Sequence, residues 1–141
     1  MPLKKYPIVF EQNVAWGDMD AFGHLNNVIY YRYMESARIA YMQAVQLLEQ
    51  NFNLVVASNN CKYFAPVVFP DQLSIGARIE ELRNSAFRMH YLIWSTSQQK
   101  TVAEGEAVLV CVDKITMQKQ SIPLNIRQFI LDLESSVNHI I

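Results

Sequence analysis

The stretch that decides the fold is residues 26–50, which read NNVIYYRYMESARIAYMQAVQLLEQ. Apolar side chains recur in it at steps of three and four residues, the repeat of one face of an α-helix. The spacing predicts one long helix that begins at Asn26 or Asn27 and runs to about residue 50, and either asparagine can cap its start. The predicted buried stripe consists of Tyr30, Tyr33, Met34, Ala37, Tyr41, Ala44, Val45 and Leu48.

The segments on both sides of this helix have the character of β-strands. One strand is predicted before it, at residues 6–16, and strands are predicted after it at 52–64, 72–82, 86–95 and 101–112. Polar residues alternate with Leu73, Ile75, Ala77 and Ile79, as expected of an antiparallel strand that buries one face. A short helix is predicted at 123–137. This order predicts an α+β fold, in which one antiparallel sheet of about five strands packs on one long helix.

Composition restricts the class of protein. The chain has 141 residues, which allows one domain spanning residues 1–141. Hydrophobic residues make up 51% and charged residues 18%, the reverse of the balance found in disordered proteins. The formal net charge of -1 argues against a nucleic-acid-binding protein, because those carry an excess of Lys and Arg. The low charge content fits either an ordinary, slightly apolar domain or a surface partly buried in an oligomer. A second copy of the chain could cover the free face and edges of the sheet.

Signals for export, membrane insertion and metal binding are missing from the sequence. Lys4 and Lys5 are not followed by the apolar segment of a signal peptide. No apolar run approaches the ~20 residues of a membrane-spanning helix. Cys61 and Cys111 have no metal-binding or redox spacing, so both are predicted to be structural thiols. We therefore expect a cytoplasmic protein without a metal.

The densest cluster of polar side chains is residues 18–27, DMDAFGHLNN, between the first strand and the long helix. The N-terminus of a helix offers free N–H groups and partial positive charge, which suit a developing oxyanion. A carboxylate a few residues upstream could attack a carbonyl or position a water, and Gly23 would let a substrate approach the backbone. Alternatively, Asp18 and Asp20 only shape a polar loop and interact with the helix dipole. The spacing alone leaves both interpretations open.

Residues 18–27, followed by YYRYMESAR at 30–38, resemble the opening of hotdog-fold acyl-CoA thioesterases, in particular the 4-hydroxybenzoyl-CoA thioesterase family. Residues 63–66 (YFAP), 71–73 (DQL) and 103–113 (AEGEAVLVCVD) are similar too, so the resemblance covers about residues 5–125. It implies a hotdog fold, with an antiparallel sheet wrapped around a long helix and two subunits paired as a dimer. It also implies hydrolysis of an acyl-CoA to a free acid and CoA, with no metal or organic cofactor.

The resemblance further implies roles for individual residues. Asp20, the second aspartate of the pair, maps onto the catalytic carboxylate, which acts as a nucleophile on the thioester carbonyl or as a general base for water. Asn27 maps onto the residue whose backbone N–H polarises the thioester oxygen, and Gly23 onto the glycine of the tight loop. Asp18 would be a neighbouring loop residue whose charge raises the affinity of Asp20 for a proton.

The remaining polar residues of the loop, and the other histidines, allow simpler interpretations. His24 either orients Asp20 or contacts the thioester, or it only holds the turn of the loop. Asn26 is interpreted as a helix cap rather than a catalytic group. His90 lies among the residues of a predicted strand and is expected to be structural, and His139 is expected to be exposed in the tail.

Further residues are candidates for binding the substrate. Phe22 and Tyr63 are predicted to form the wall of an acyl pocket. Coenzyme A carries phosphates, which basic side chains near the pocket mouth should bind. The candidates are Lys62, Arg83 and Arg88, with solvated charges at the edges of the strands as the alternative for each.

Two other functions are weighed against the thioesterase. Hotdog domains also serve as non-catalytic binding modules for acyl-CoA or for an acyl-carrier protein. Asp20 and the polar helix start favour the enzyme, because a binding module needs no carboxylate there. Dehydratase chemistry is disfavoured, because those relatives arrange a histidine and an acid around the long helix in a different pattern. The sequence does not distinguish a homodimer from a dimer of dimers, and it does not identify the acyl chain.

Overall fold

Five strands form one antiparallel sheet in the computed structural model, which describes residues 2–141. The strands are β1 (Ile8–Asn13), β2 (Asn53–Tyr63), β3 (Gln72–Leu82), β4 (Ala86–Ser95) and β5 (Lys100–Val112). Their order across the sheet is β1-β3-β4-β5-β2, so that β1 and β2 are the edge strands. The long helix α1 spans Ile29–Ala44, and α2 spans Leu124–Ser135. Within residues 2–141 neither of these helices has the length and apolar character needed to cross a membrane.

Helix α1 packs on one face of this sheet. Successive side chains of a strand point to opposite sides of the sheet. Every second side chain of β3 and β4 therefore points to the face that α1 covers and is buried there. The helix contributes its own buried stripe, Tyr30, Tyr33, Met34, Ala37, Arg38, Tyr41 and Met42. The predicted α+β fold, one long helix against about five antiparallel strands, is confirmed.

Gly105 in β5 permits a close contact between helix and sheet. A Cβ atom at this position would lie 2.6 Å from the backbone oxygen of Asn60 in β2 and 2.7 Å from the sulfur of Met34 in α1. Any larger residue would therefore push the neighbouring strand or the helix away. This contact sets the height at which the first half of α1 lies above the sheet.

The long helix is shorter than its sequence repeat predicts. It ends at Ala44, and Gln46 adopts a left-handed backbone conformation with φ of 62°. A residue in this conformation ends a helix, and a 3-10 turn follows at Leu47–Glu49. Consequently Leu47 is buried, whereas Leu48, which the repeat placed on the buried stripe, is 51% exposed.

The segment between β1 and α1 also leaves regular structure earlier than predicted. β1 ends at Asn13, and Trp16, predicted as a strand residue, begins a 3-10 turn and is exposed. Val14, which directly follows β1, still donates its N–H to the carbonyl of Asp71 at 2.9 Å. Because α1 begins only at Ile29, residues 14–28 form a long connection that carries the polar cluster.

Helix α2 is anchored through a fully buried carboxylate. Glu134 accepts hydrogen bonds from the hydroxyl of Tyr41 in α1 (2.5 Å) and from the N–H of Ile79 in β3 (2.9 Å). Burial raises the pKa of Tyr41, and the nearby Glu134 carboxylate raises it further, so the Tyr41 hydroxyl is the donor. His139 Nδ1 lies 2.7 Å from Glu134, and its side chain is only 13% exposed, so the prediction of an exposed His139 is wrong.

Neither cysteine lies in an environment that would make it reactive. Both are free thiols, with Cys111 buried and Cys61 half-buried. Burial raises the pKa of both, that of Cys111 to about 11, which keeps the thiols protonated. Among residues 2–141 no group of three His, Cys, Asp or Glu side chains is placed to hold a metal ion.

Candidate active site

The loop at 18–27, the start of α1 and the end of β2 border a cleft of about 280 Å³. Four residues predicted from the sequence to form the site line it, namely Asp20, His24, Asn27 and Tyr63. They come from two separate parts of the chain, the loop and the end of β2, and the fold brings them together. The other lining residues are Leu25, Tyr30, Phe64, Ala65 and Pro66, which make the remaining wall largely apolar.

The Asp20 carboxylate is held by the backbone of its own loop. Its Oδ1 accepts the N–H groups of Phe22 (2.9 Å) and His24 (3.2 Å). The Asp20 N–H donates to the carbonyl of His24 at 2.7 Å, and the Asp20 carbonyl accepts the N–H of Gly23 at 3.1 Å. Oδ2 has no hydrogen-bond partner among residues 2–141. One carboxylate oxygen is therefore fixed in place, and the other is available to a ligand.

Gly23 supplies the tight turn that this arrangement needs. Its φ is 79°, in the left-handed region that side chains rarely adopt. A Cβ would meet no atom within 4 Å, so backbone conformation, not lack of space, favours glycine here. The turn is what lets the N–H of His24 reach back to the Asp20 carboxylate.

Helix α1 begins with a tight turn that leaves the Asn27 peptide outside the helical hydrogen-bond ladder. The Asn26 carbonyl accepts the N–H of Ile29 (2.9 Å), and the Val28 carbonyl accepts that of Tyr31 (3.2 Å). The Asn26 side chain accepts the N–H of Val28 at 3.1 Å and so closes the turn before the helix, but the capping position of α1 is Val28, not Asn26 as predicted. The Asn27 N–H donates to no group in the described part of the chain. A free N–H at a helix N-terminus is the group that a developing oxyanion requires.

Asp18 fastens the loop to α1 and does not line the cleft. Its carboxylate accepts the hydroxyl of Tyr33 at 2.6 Å, and its carbonyl accepts the N–H of Asn26 at 3.0 Å. Burial and the hydrogen bond to Asp18 raise the pKa of Tyr33 to about 12, so Tyr33 is the donor. Asp18 is thus tied to the helix rather than directed at a substrate.

His24 lines the cleft but contacts Asp20 through its backbone. Its N–H and carbonyl both bond to Asp20, whereas its imidazole has no hydrogen-bond partner among residues 2–141. The backbone of His24 therefore holds the carboxylate. The exposed ring remains free to meet a ligand in the cleft.

Four residues predicted to bind substrate lie outside the cleft. Phe22 is 85% exposed near the tip of the loop. Lys62 lies on the opposite face of the sheet from Tyr63, in a small recess that Glu104 and Glu106 also line. Arg88 is paired with Glu106 (3.1 Å) and Glu81 (3.6 Å), and Arg83 with Glu81 (3.0 Å). Their roles toward an acyl chain or the phosphates of CoA stay predictions.

Tyr30 is a cleft residue that sequence reasoning assigned only to packing. It is 2% exposed, and its ring packs edge-on against Tyr63 with centroids 4.9 Å apart. Burial raises its pKa to about 12, so the phenol is neutral. Phe64, Ala65 and Pro66 were also missed, although their motif, YFAP, is part of the resemblance quoted above.

Comparison with known proteins identifies the family. The sequence profile of the Thioesterase-like superfamily matches residues 14–130, which include the loop, α1 and strands β2 to β5. The chain belongs to this superfamily. A thioesterase from Thermus thermophilus, solved in complex with coenzyme A and Zn, is 32% identical, with a TM-score of 0.82. The alignment covers 93% of this chain and 97% of that protein.

Two curated relatives of this thioesterase-superfamily chain have named activities. The long-chain acyl-CoA thioesterase FadM of Escherichia coli (strain K12) is 24% identical over 78% of this chain and 86% of its own length. The acyl-CoA thioester hydrolase YbgC of Escherichia coli O157:H7 is 25% identical over 80% and 87%. The predicted hotdog fold and the class of thioester hydrolase are confirmed at the level of the family.

Proposed function

We propose that the protein hydrolyses acyl-CoA thioesters, releasing a free acid and CoA, with Asp20 and the Asn27 N–H at the reaction centre. One observation carries the proposal. Among the described residues 2–141, Asp20, whose carboxylate has one unpaired oxygen, and Asn27, whose backbone N–H is unpaired just before α1, line the same cleft. The names of FadM and YbgC, and the coenzyme A bound to the Thermus thermophilus relative, support a CoA thioester as the substrate.

The geometry supports a simple division of labour. The Asn27 N–H and the helix N-terminus stabilise the negative charge that develops on the thioester oxygen during the reaction. Asp20 Oδ2 either attacks the carbonyl carbon or removes a proton from an attacking water. If Asp20 attacks, the C–S bond breaks as an anhydride forms between Asp20 and the acyl group, and water then cleaves that anhydride to the free acid. If Asp20 acts as a base, the deprotonated water adds to the carbonyl carbon and the C–S bond breaks to give the free acid directly. In both routes the proton left on Asp20 passes to the CoA thiolate, which restores the carboxylate. The two backbone N–H groups on Oδ1 keep the carboxylate oriented in either route.

The proposal includes a homodimer joined through β2. This edge strand has eleven residues, and those from Val56 to Asn60 are all exposed. An exposed edge strand presents unpaired backbone groups, which a second copy of the strand can pair with. Tyr63 ends β2 and lines the cleft, so a partner bound along this edge would border the site.

The free thiols of Cys61 and Cys111 support a reducing compartment, for which we propose the cytoplasm.

Size-exclusion chromatography with light scattering is expected to give at least twice the chain mass of 16.3 kDa. A mass near two chains indicates the β2-paired dimer, and a mass near four indicates that two dimers associate. Lys substitutions at Val56 and Ser58 should lower the mass to that of one chain, because they place like charges along the paired edges. A wild-type protein that elutes as a monomer at all concentrations would contradict the dimer.

Thiol release from a panel of acyl-CoA compounds tests the enzymatic activity. The panel runs from short aliphatic through long-chain to aromatic acyl groups, and at least one member is expected to be hydrolysed with saturation kinetics. Titration of each compound by calorimetry provides the comparison with binding. Tight binding without turnover on every member would contradict the proposal and favour a non-catalytic acyl-CoA or acyl-carrier-protein binding module.

A further inference from the structure

The Asn27 carbonyl is left out of the helix and bonds to the sheet instead. In the tight first turn of α1, the N–H of Tyr31 bonds to Val28 rather than to Asn27. The hydroxyl of Tyr63 donates to the Asn27 carbonyl at 2.8 Å. The two peptide groups that flank the Asn27 Cα otherwise bond only within residues 26–29, over the part of the chain that is described. Within the described residues, the hydrogen bond from the Tyr63 hydroxyl is therefore what connects these two peptide groups to the rest of the fold.

Tyr63 itself is held firmly. It is the last residue of β2 and pairs in register with Ala103 of β5. The next two N–H groups, of Phe64 and Ala65, both donate to the carbonyl of Val102, at 2.8 and 3.3 Å. Its ring rests edge-on against the buried ring of Tyr30. The position of the Tyr63 hydroxyl is thus set by the sheet.

We infer that Tyr63 is a positioning residue for the proposed hydrolysis, whose hydroxyl holds the Asn27 peptide so that its N–H stays directed at the thioester oxygen. This inference rests on the proposed function. It gives Tyr63 a role different from that of a pocket wall. A wall contact acts on binding, whereas a fixed N–H direction acts on the transition state, because donors aimed in advance at developing charge need no reorientation during the reaction.

Tyr63→Phe removes the hydroxyl and keeps the ring. We expect kcat to fall by about 5- to 30-fold, less than the ~10²–10³-fold caused by losing an oxyanion donor outright, since the N–H remains but is less well aimed. KM, and the Kd of coenzyme A itself measured by calorimetry, should change by less than about twofold. The control is Tyr6→Phe, which deletes a hydroxyl bonded to His90 at 2.7 Å on the other face of the sheet. It should leave kcat unchanged.

A Tyr63→Phe enzyme with wild-type kcat would overturn the inference. If KM and the Kd of coenzyme A rose at the same time, the result would be the one expected of a pocket wall.

NMR relaxation of the Asn27 amide provides a test that does not depend on activity. Its order parameter should fall from about 0.85 towards 0.6 in Tyr63→Phe, with the β4 amides unchanged. An unaltered Asn27 order parameter would also overturn the inference. If the wild-type protein hydrolyses no thioester, the proposed function fails, and this measurement still decides whether the Tyr63 hydroxyl holds the Asn27 peptide.

Discussion

Replacing Asp20 with asparagine is expected to lower kcat by about 10³- to 10⁴-fold without unfolding the protein. An amide can neither attack the thioester carbonyl nor accept a proton from water, so either form of the proposed chemistry is lost. The loss corresponds to about 4–5.5 kcal/mol of transition-state stabilisation. The fold should survive, because an asparagine Oδ1 still accepts the N–H groups of Phe22 and His24 that close the loop. Thiol release and a circular-dichroism melt measure the two effects separately.

Asp113→Asn provides a matched control for this substitution. The Asp113 Oδ1 also accepts two backbone N–H groups, of Ile115 (2.8 Å) and Thr116 (2.9 Å), in a turn after β5. The two substitutions therefore change the same kind of turn, but only Asp20 lines the cleft. Asp113→Asn should retain wild-type kcat. If Asp20→Asn also retained it, the carboxylate would have no part in the reaction and the proposed mechanism would be wrong.

The parts of the fold that could be predicted from sequence are those in which one face is strictly buried. The predicted bounds of β3 and β4 match the structure, because alternate side chains in both strands are buried against α1. The end of α1 could not be predicted, because it depends on the left-handed conformation of Gln46, and glutamine is not a residue typical of that position. The helical repeat continued past it, so the sequence pattern alone favoured a longer helix.

Site residues could be predicted from the sequence where they belong to a local motif. They could not be predicted where tertiary packing determines whether a side chain reaches the cleft. The loop motif indicated Asp20 and Asn27, whose proposed roles depend on backbone geometry within ten residues. Tyr30 was missed, since its helical spacing is equally that of a core residue, and it is in fact both buried and part of the cleft. Neighbouring side chains in a strand point to opposite faces. That rule alone would have shown that Tyr63 and Lys62 could not both face the cleft.

Glu134→Ala is expected to lower the free energy of unfolding by about 3–5 kcal/mol, because it leaves buried hydrogen-bond donors without an acceptor and opens a cavity. Glu134 is fully buried, and its carboxylate joins α2 to α1 through Tyr41 and to the sheet through Ile79. The pairing of β3 with β4 shifts register directly after Ile79, so the Glu134 carboxylate accepts the N–H of a residue beside this irregularity. Without it, two buried donors lose their acceptor, at ~1–3 kcal/mol each.

Urea denaturation followed by circular dichroism measures this loss, and Glu81→Ala is the control. Glu81 is also a β3 glutamate with a close partner, Arg83 at 3.0 Å, but that pair lies in solvent. Exposed ion pairs contribute little, because water already solvates both charges, so Glu81→Ala should leave the urea midpoint nearly unchanged. If Glu134→Ala unfolded at the same urea concentration as Glu81→Ala, the buried carboxylate would not be what holds α2 to the domain. Because Tyr41 lies far along α1 from the first turn that borders the cleft, we also expect Glu134→Ala to retain most of its kcat at low temperature, where the folded state is still fully populated.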